Sequence, residues 1–386
     1  MKPAFPKYRK TLSLFCRLVD NFGDIGVCWR LSRDLALHHG WHVRLWVDDF
    51  LALQRIVARI SPRMEVQQVA GVELRPWRAP FDVVTEDAVV IEAFACELPA
   101  EVLTAMAARS IPPVWINLEY LSAEDWVADL HGLPSPHPRL PLRKHFFFPG
   151  FDEGTGGLLR EPGLFTRREA FRQDELACRT VLAERSGRDI PPDARVISLF
   201  AYEQPALPEL LRLWSQERDP LWLLVPEGRV VPDVAAFFGL KELALGVCHQ
   251  AGSLKVCVIP FSDQDGYDRL LWACGLNFVR GEDSFVRAQW AGAPFVWHIY
   301  PQQEEAHRIK LEAFLQRFLA QADAGLAVPV RAFWLAWNGF GEVAEAWPAF
   351  AEILPEYGAH CRAWVASLGQ QRDLATNLVE FVERCV

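Results

Sequence analysis

Short apolar runs alternate with stretches of helical spacing along most of the chain, and this alternation narrows the fold more than any other feature. Strand-like runs occupy residues 12–19, 42–47, 89–94, 114–118 and 145–148. Between the first two, Val27, Leu31 and Leu35 share one helical face, and Gly40 supplies a helix stop. A second helix is predicted over 99–109. A second series follows at 196–200, 221–225, 255–261, 276–280 and 295–299, with helices over 267–273 and 286–290. Beyond about residue 303 the pattern is helical throughout. Strands that alternate with helices predict parallel sheets with crossover helices. Between about 151 and 194 a glycine cluster gives way to charged stretches, and an inter-domain region is expected there. At 386 residues the chain exceeds the roughly 250–300 at which one core stops growing, so two α/β domains are expected. Ligands in such folds sit at the carboxyl ends of the strands.

Composition removes several function classes. Hydrophobic residues make up 51% and charged residues 23%, which is globular rather than disordered. The net charge of −9, with no basic tract, argues against a nucleic-acid partner. No apolar run reaches 18 residues, so no transmembrane helix is expected. The N-terminal apolar run is interrupted by Arg17 and Asp20 and lacks a small-residue cleavage point. It reads as a first strand, and the protein as cytoplasmic. Nine cysteines, an odd number with no CxxC pair, read as reduced and mostly buried thiols. There is no HExxH and no zinc spacing, so no metal is expected.

Two loops carry candidate chemistry. Asp20-Asn21-Phe22-Gly23-Asp24-Ile25-Gly26 puts two carboxylates and two glycines between a strand and a helix. Either the carboxylates act chemically or Asp24 simply satisfies helix N–H groups. A GxGxxG fingerprint is absent here, and also at Gly154-Thr155-Gly156-Gly157, where Leu159 stands in place of the last glycine. That second cluster reads as a linker. In Arg280-Gly281-Glu282-Asp283-Ser284-Phe285 a strand ends and a helix begins, with Ser284 or Asp283 as the expected N-cap. Such a turn suits a phosphate, and Arg280 would add a charged contact. Glu282 and Asp283 would repel the same phosphate, so at least one should face elsewhere. The bland alternative is a capped helix with a surface ion pair. Tyr202, Phe261 and Tyr300 follow other strand ends of the second series, where aromatics stack a base or serve as core and rim. His298 reads as a structural histidine.

At these blocks the chain resembles a known family. VDNFGDIGVCWRLSRDL, EAFACELP, INLEYLSAEDW, FFPGFDEGTGGLLRE and RGEDSFVRAQWAGAPFVWHIYPQ are similar to the EarP family, bacterial protein-arginine rhamnosyltransferases that modify translation elongation factor P. The similar blocks run from about residue 11 to 303. The resemblance implies a GT-B glycosyltransferase fold of two Rossmann-like domains facing across a cleft. The expected bounds are 1–170, on the acceptor side, and 190–360, on the donor side, with a helix of about 366–386 packing back on the first. It implies dTDP-β-L-rhamnose as donor, an arginine of elongation factor P as acceptor, inversion at the anomeric carbon, and no metal or other cofactor.

By the same resemblance Asp24 matches the general base, Asp20 a second essential carboxylate and Glu282 a further active-site acid. Arg280, Gly281, Asp283, Ser284 and Phe285 fall in the donor-binding loop. Tyr202, Phe261, Gln264 and Tyr300 line the nucleotide or sugar pocket, and Asn21, Phe22 and Gly23 join the donor-binding set. The loop Ser262-Asp263-Gln264-Asp265 departs from the family pattern, so Ser262, Asp263 and Asp265 receive no role. Two other readings remain open at this point. One is a GT-B transferase with another sugar nucleotide or a small-molecule acceptor; the other is a non-catalytic binder of a nucleotide or of the translation factor.

Overall fold

The computed structural model describes residues 10–18, 22–78, 86–302 and 305–385. The chain divides into two compact units, residues 1–162 with 371–386, and residues 163–370. The first unit contains β1 (Thr11–Cys16), α1 (Gly23–His38), β2 (His42–Val47), α2 (Phe50–Ile56), β3 (Gln67–Val69), β4 (Val72–Pro76), β5 (Val89–Ala93), α3 (Ala100–Ala107), β6 (Val114–Leu118), α4 (Trp126–Leu130), β7 (Pro134–Pro136) and β8 (Arg143–Phe147). Its sheet has the order β3-β4-β2-β1-β5-β6-β8-β7. The six inner strands are parallel, and β3 and β7 add antiparallel edges.

The second unit contains α5 (Leu164–Gln173), α6 (Glu175–Ser186), β9 (Arg195–Leu199), α7 (Leu207–Ser215), β10 (Leu221–Pro226), α8 (Val231–Phe237), β11 (Cys248–Ala251), β12 (Leu254–Ile259), α9 (Gln264–Ala273), β13 (Leu276–Arg280), α10 (Asp283–Ala291) and β14 (Phe295–His298). Four more helices follow, α11 (Ala306–Phe318), α12 (Ala324–Trp337), α13 (Val343–Glu352) and α14 (Leu354–Leu368). The sheet order is β11-β12-β10-β9-β13-β14, parallel except for β11. The last helix, α15 (Leu374–Cys385), belongs to the first unit and packs against α1.

The central strands are buried on both faces because helices cover both. All six residues of β10 and all five of β13 are buried. In each sheet the chain starts in the middle, builds toward one edge, then returns to build the other. That reversal lies between β1 and β5 in the first unit and between β9 and β13 in the second. Side-chain and backbone groups beyond the carboxyl ends of those strands line the crevice where such sheets bind ligands. Among the described residues no helix is long and apolar enough to cross a membrane.

Several expectations need correction. The short edge strands β3, β7 and β11, and the short inner strand β4, were not foreseen, since three to five residues carry little periodicity. The division between the two units, after residue 162, falls inside the inter-domain region expected over 151–194, but residues 164–173 and 175–186 of that region form α5 and α6 of the second unit. Part of their charge is docked rather than solvated, since Arg168 and Arg172 donate to the Trp290 and Trp272 carbonyls. The Gly154–Gly157 cluster is a packed turn: a Cβ on Gly157 (φ +75°) would come within 2.5 Å of the Arg372 carbonyl, and one on Gly156 within 2.5 Å of Phe147. The reading of all cysteines as free thiols fails at one place. Cys248 and Cys257 face each other across the antiparallel β11–β12 pair, with Cα atoms 4.3 Å apart, and form a disulfide. The other seven are free.

Candidate active site

In the first unit the feature of interest is the start of α1. Asp24 lies in its first turn and is 2% exposed. Phe22 is the N-cap residue and makes no side-chain cap bond; its ring lies under the Arg55 guanidinium. The helix begins at Gly23, four residues earlier than the apolar spacing from Val27 indicated. Backbone N–H groups and the helix dipole in that first turn favour a carboxylate. Behind it lies Cys28, whose thiol is pushed well up by burial, with smaller contributions from Cys16, Asp24 and Cys96. Asp20 and Asn21 lie outside the described residues.

The second unit presents a denser constellation around β9 and β13. Arg280 ends β13 and is 4% exposed. Its guanidinium carbon lies 4.6 Å from the ring centres of both Phe200 and Tyr202, the residues that follow β9. Cation–π contact with two rings holds the guanidinium plane in one orientation. Tyr202 also packs edge-on against Tyr300 and His298, each at 5.3 Å. Tyr202 is buried, whereas Tyr300 is 41% exposed and forms the rim.

After Arg280 the chain turns sharply. Gly281 has φ +61°, a left-handed conformation that favours glycine. Trp297 Nε1 donates to the Gly281 carbonyl at 3.0 Å and pins the turn. The N-cap of α10 is Glu282, not Ser284 or Asp283, and it makes no side-chain cap bond. The Ser284 hydroxyl instead folds back onto the strand end: it donates to the Arg280 carbonyl and accepts from the Arg280 N–H at 3.2 Å. A serine one turn along a helix can reach that carbonyl, so its side chain fixes the loop. Phe285 is 1% exposed and stacks on Trp297 at 3.9 Å and 11°. Its side chain is core, and what it can offer a ligand is its backbone N–H.

Just beyond the end of β12, the Phe261 N–H donates to the Glu227 carboxylate at 3.0 Å. Asp263 caps α9 by accepting from the Gly266 N–H at 2.8 Å. That gives Asp263 a structural task in a loop where the sequence assigned none. Gln264 opens α9 and donates from Nε2 to Asp283 Oδ2 at 3.3 Å. The structure therefore brings Tyr202, Gln264, Arg280, Asp283, Ser284 and Tyr300 into one neighbourhood, with Phe200, Glu227 and His298 as additions. His298 was read as structural. Burial first, then the Arg280 charge, lower its pKa to about 3, so its ring is neutral at ordinary pH. Burial likewise pushes the Tyr267 phenol far up.

This set suits an anionic diphosphate attached to a planar base: a guanidinium held flat, a glycine turn, two adjacent helix N-termini and aromatic rings. Among the described residues, one group with ligand-type side chains lies in the first unit: Asp34, His39 and Asp373, within 4.8 Å of one another. Asp34 pairs with His38 at 2.7 Å, and Asp373 caps α15 by accepting from Thr376.

Comparison with known proteins places the chain. The family model described as Elongation-Factor P (EF-P) rhamnosyltransferase EarP matches residues 12–383. A protein-arginine rhamnosyltransferase of Pseudomonas aeruginosa is 52% identical over 373 residues, covering 95% of this chain and 97% of that protein. One from Shewanella oneidensis is 40% identical over 389 residues, covering 96% and 97%. Among solved structures, one on EarP-mediated arginine glycosylation of translation elongation factor EF-P matches with a TM-score of 0.71 at 36% identity, covering 97% of this chain and 99% of that one. A glycosyltransferase from Rickettsia africae matches with a TM-score of 0.51 at 8% identity, over 97% of each chain, a likeness of fold alone. The fold is that of GT-B glycosyltransferases, and the chain belongs to the EarP family of protein-arginine rhamnosyltransferases.

Proposed function

We propose that this protein transfers L-rhamnose from dTDP-β-L-rhamnose to an arginine side chain of translation elongation factor P, in the cytoplasm, with inversion and without a metal or other cofactor. The observation that carries the reading is the family match over 12–383, which spans the Asp24 helix start and the Arg280 loop together. The geometry of the second unit supports a nucleotide-sugar donor: Arg280, Gly281, Ser284 and the N–H of Phe285 for the diphosphate, and Tyr202, Phe261, Gln264 and Tyr300 for base or sugar.

The acceptor sets the harder chemical problem. A guanidinium has a pKa above about 12 and is a poor nucleophile while charged and conjugated. A carboxylate of ordinary pKa near 4 cannot deprotonate it in advance. Asp20 and Asp24 instead grip it by charge-assisted bonds and hold one nitrogen in line with the anomeric carbon. As the C–N bond forms, that nitrogen becomes acidic, and Asp24 takes the proton. The departing dTDP carries growing negative charge, which Arg280 and backbone N–H groups near Ser284 and Phe285 stabilise. Asn21, Phe22 and Gly23 are assigned to donor binding by the family resemblance. Glu282 and Asp283 are directed at the sugar rather than the phosphates, where their charge would oppose binding.

Release of dTDP tests the reading. It should require both elongation factor P and dTDP-rhamnose, and free arginine should be a poor substitute because remote contacts with the folded partner contribute to positioning. Equal dTDP release with and without the protein acceptor would refute it.

A further inference from the structure

Two helices begin at the candidate donor site, α9 at Gln264 and α10 at Asp283, and side-chain contacts join them, two of which carry the argument. The first is the Gln264–Asp283 hydrogen bond, 3.3 Å long. The second lies one turn deeper. There the Arg287 guanidinium grips the Asp268 carboxylate with two bonds, Nε to Oδ1 at 2.9 Å and Nη2 to Oδ2 at 2.6 Å. Both side chains are buried, at 2% and 6% exposure. Asp268 follows Gln264 by four residues and Arg287 follows Asp283 by four, so the two contacts form successive rungs between the same pair of helices.

The rungs differ in stiffness. The upper one is a single long bond to an amide. The lower one is a planar fork on a carboxylate, which fixes both distance and orientation. A buried ion pair is a weak source of net stability, since a hydrophobic pair of similar volume often serves as well or better. What this pair supplies that a hydrophobic pair cannot is a defined offset between two helices.

We infer that Asp268 and Arg287 are positioning residues for the donor. They set the relative height of the α9 and α10 N-terminal turns, so that Gln264 meets the base or sugar while the backbone N–H groups by Ser284 and Phe285 meet the diphosphate of the same donor. Neither touches the donor itself, because each lies a full turn below the helix start. The inference rests on the donor-site reading given above.

The test uses the full chain and dTDP as probe, with binding measured by calorimetry and thermal midpoints by scanning fluorimetry. Asp268→Leu/Arg287→Met replaces the pair with apolar side chains. Its Tm should stay near that of the unmodified protein, while dTDP binding weakens by at least about 10-fold, because a misplacement of even ~1 Å is costly. KM for elongation factor P should not change. Arg287→Lys keeps the charge but loses the fork, and should weaken dTDP by roughly 5-fold with little change in Tm. This second variant reads the same point if the double variant folds poorly. If both variants bind dTDP within about twofold of the unmodified protein, the pair is structural only and the inference is overturned. A parallel rise in KM for the acceptor would overturn it equally. Failure of the unmodified protein to bind dTDP would instead refute the donor-site reading, and this inference with it.

Discussion

Replacing Arg280 by Met separates two things this side chain does. Its guanidinium is buried between Phe200 and Tyr202, 4.6 Å from each ring centre. Each contact is worth about 0.5–2 kcal/mol. Met restores much of the packing and removes a buried charge, so the two changes in stability oppose each other and Tm should move by only a few degrees. The donor loses a charge-assisted contact to its diphosphate, worth about 1.5–3 kcal/mol, or roughly 10–150-fold in Kd. Arg280→Lys should fall between, since Lys keeps the charge but cannot lie flat between two rings. Calorimetry with dTDP, alongside thermal melts of the unliganded protein, reads both quantities. A change in dTDP affinity below about threefold, or a large fall in Tm with affinity intact, would refute the assignment of Arg280 to the diphosphate.

Other perturbations bear on other parts of the account. Asp24→Asn and Asp20→Asn should each cut turnover severely while dTDP still binds; near-normal turnover in the Asp24 variant would remove it from the base role. Activity should survive EDTA, and loss that magnesium or manganese restores would contradict the metal-free mechanism. His298 makes stability depend on pH. Its pKa is about 3 in the folded protein against an ordinary 6.5, so the unfolded chain binds the extra proton between these values. This contribution is intact above about pH 6.5 and is lost as pH falls, at up to about 1.4 kcal/mol per pH unit. Urea denaturation at pH 7, 6 and 5 should show His298→Phe with the shallower acid dependence; identical slopes would mean that His298 is not held neutral.

Burial patterning made the fold readable from sequence. A strand such as Leu221–Pro226 is apolar on both faces, and an uninterrupted apolar run bounded by turns stands out in any sequence. Arg280 was legible too, as a charge where a strand ends before a glycine. Other features depend on contacts that spacing does not encode. Ser284 looked like a cap, and only the path of the Gly281 turn shows that its hydroxyl returns to Arg280. Phe285 looked like a pocket residue, and only the position of Trp297 shows that it is core. Asp268 and Arg287 sit mid-helix, where a charged residue usually faces water, and their pairing depends on α9 and α10 lying side by side. Cys248 and Cys257 meet because β11, a four-residue strand with no strong apolar pattern, folds back on β12.

The most direct test of the central claim is the mass of elongation factor P after incubation with this protein and dTDP-rhamnose, with fragmentation to locate the change. The account predicts a gain of one deoxyhexose on one arginine, and no gain when the Asp24→Asn variant is used. An unmodified acceptor, or a sugar carried on a serine, threonine or lysine, would contradict it.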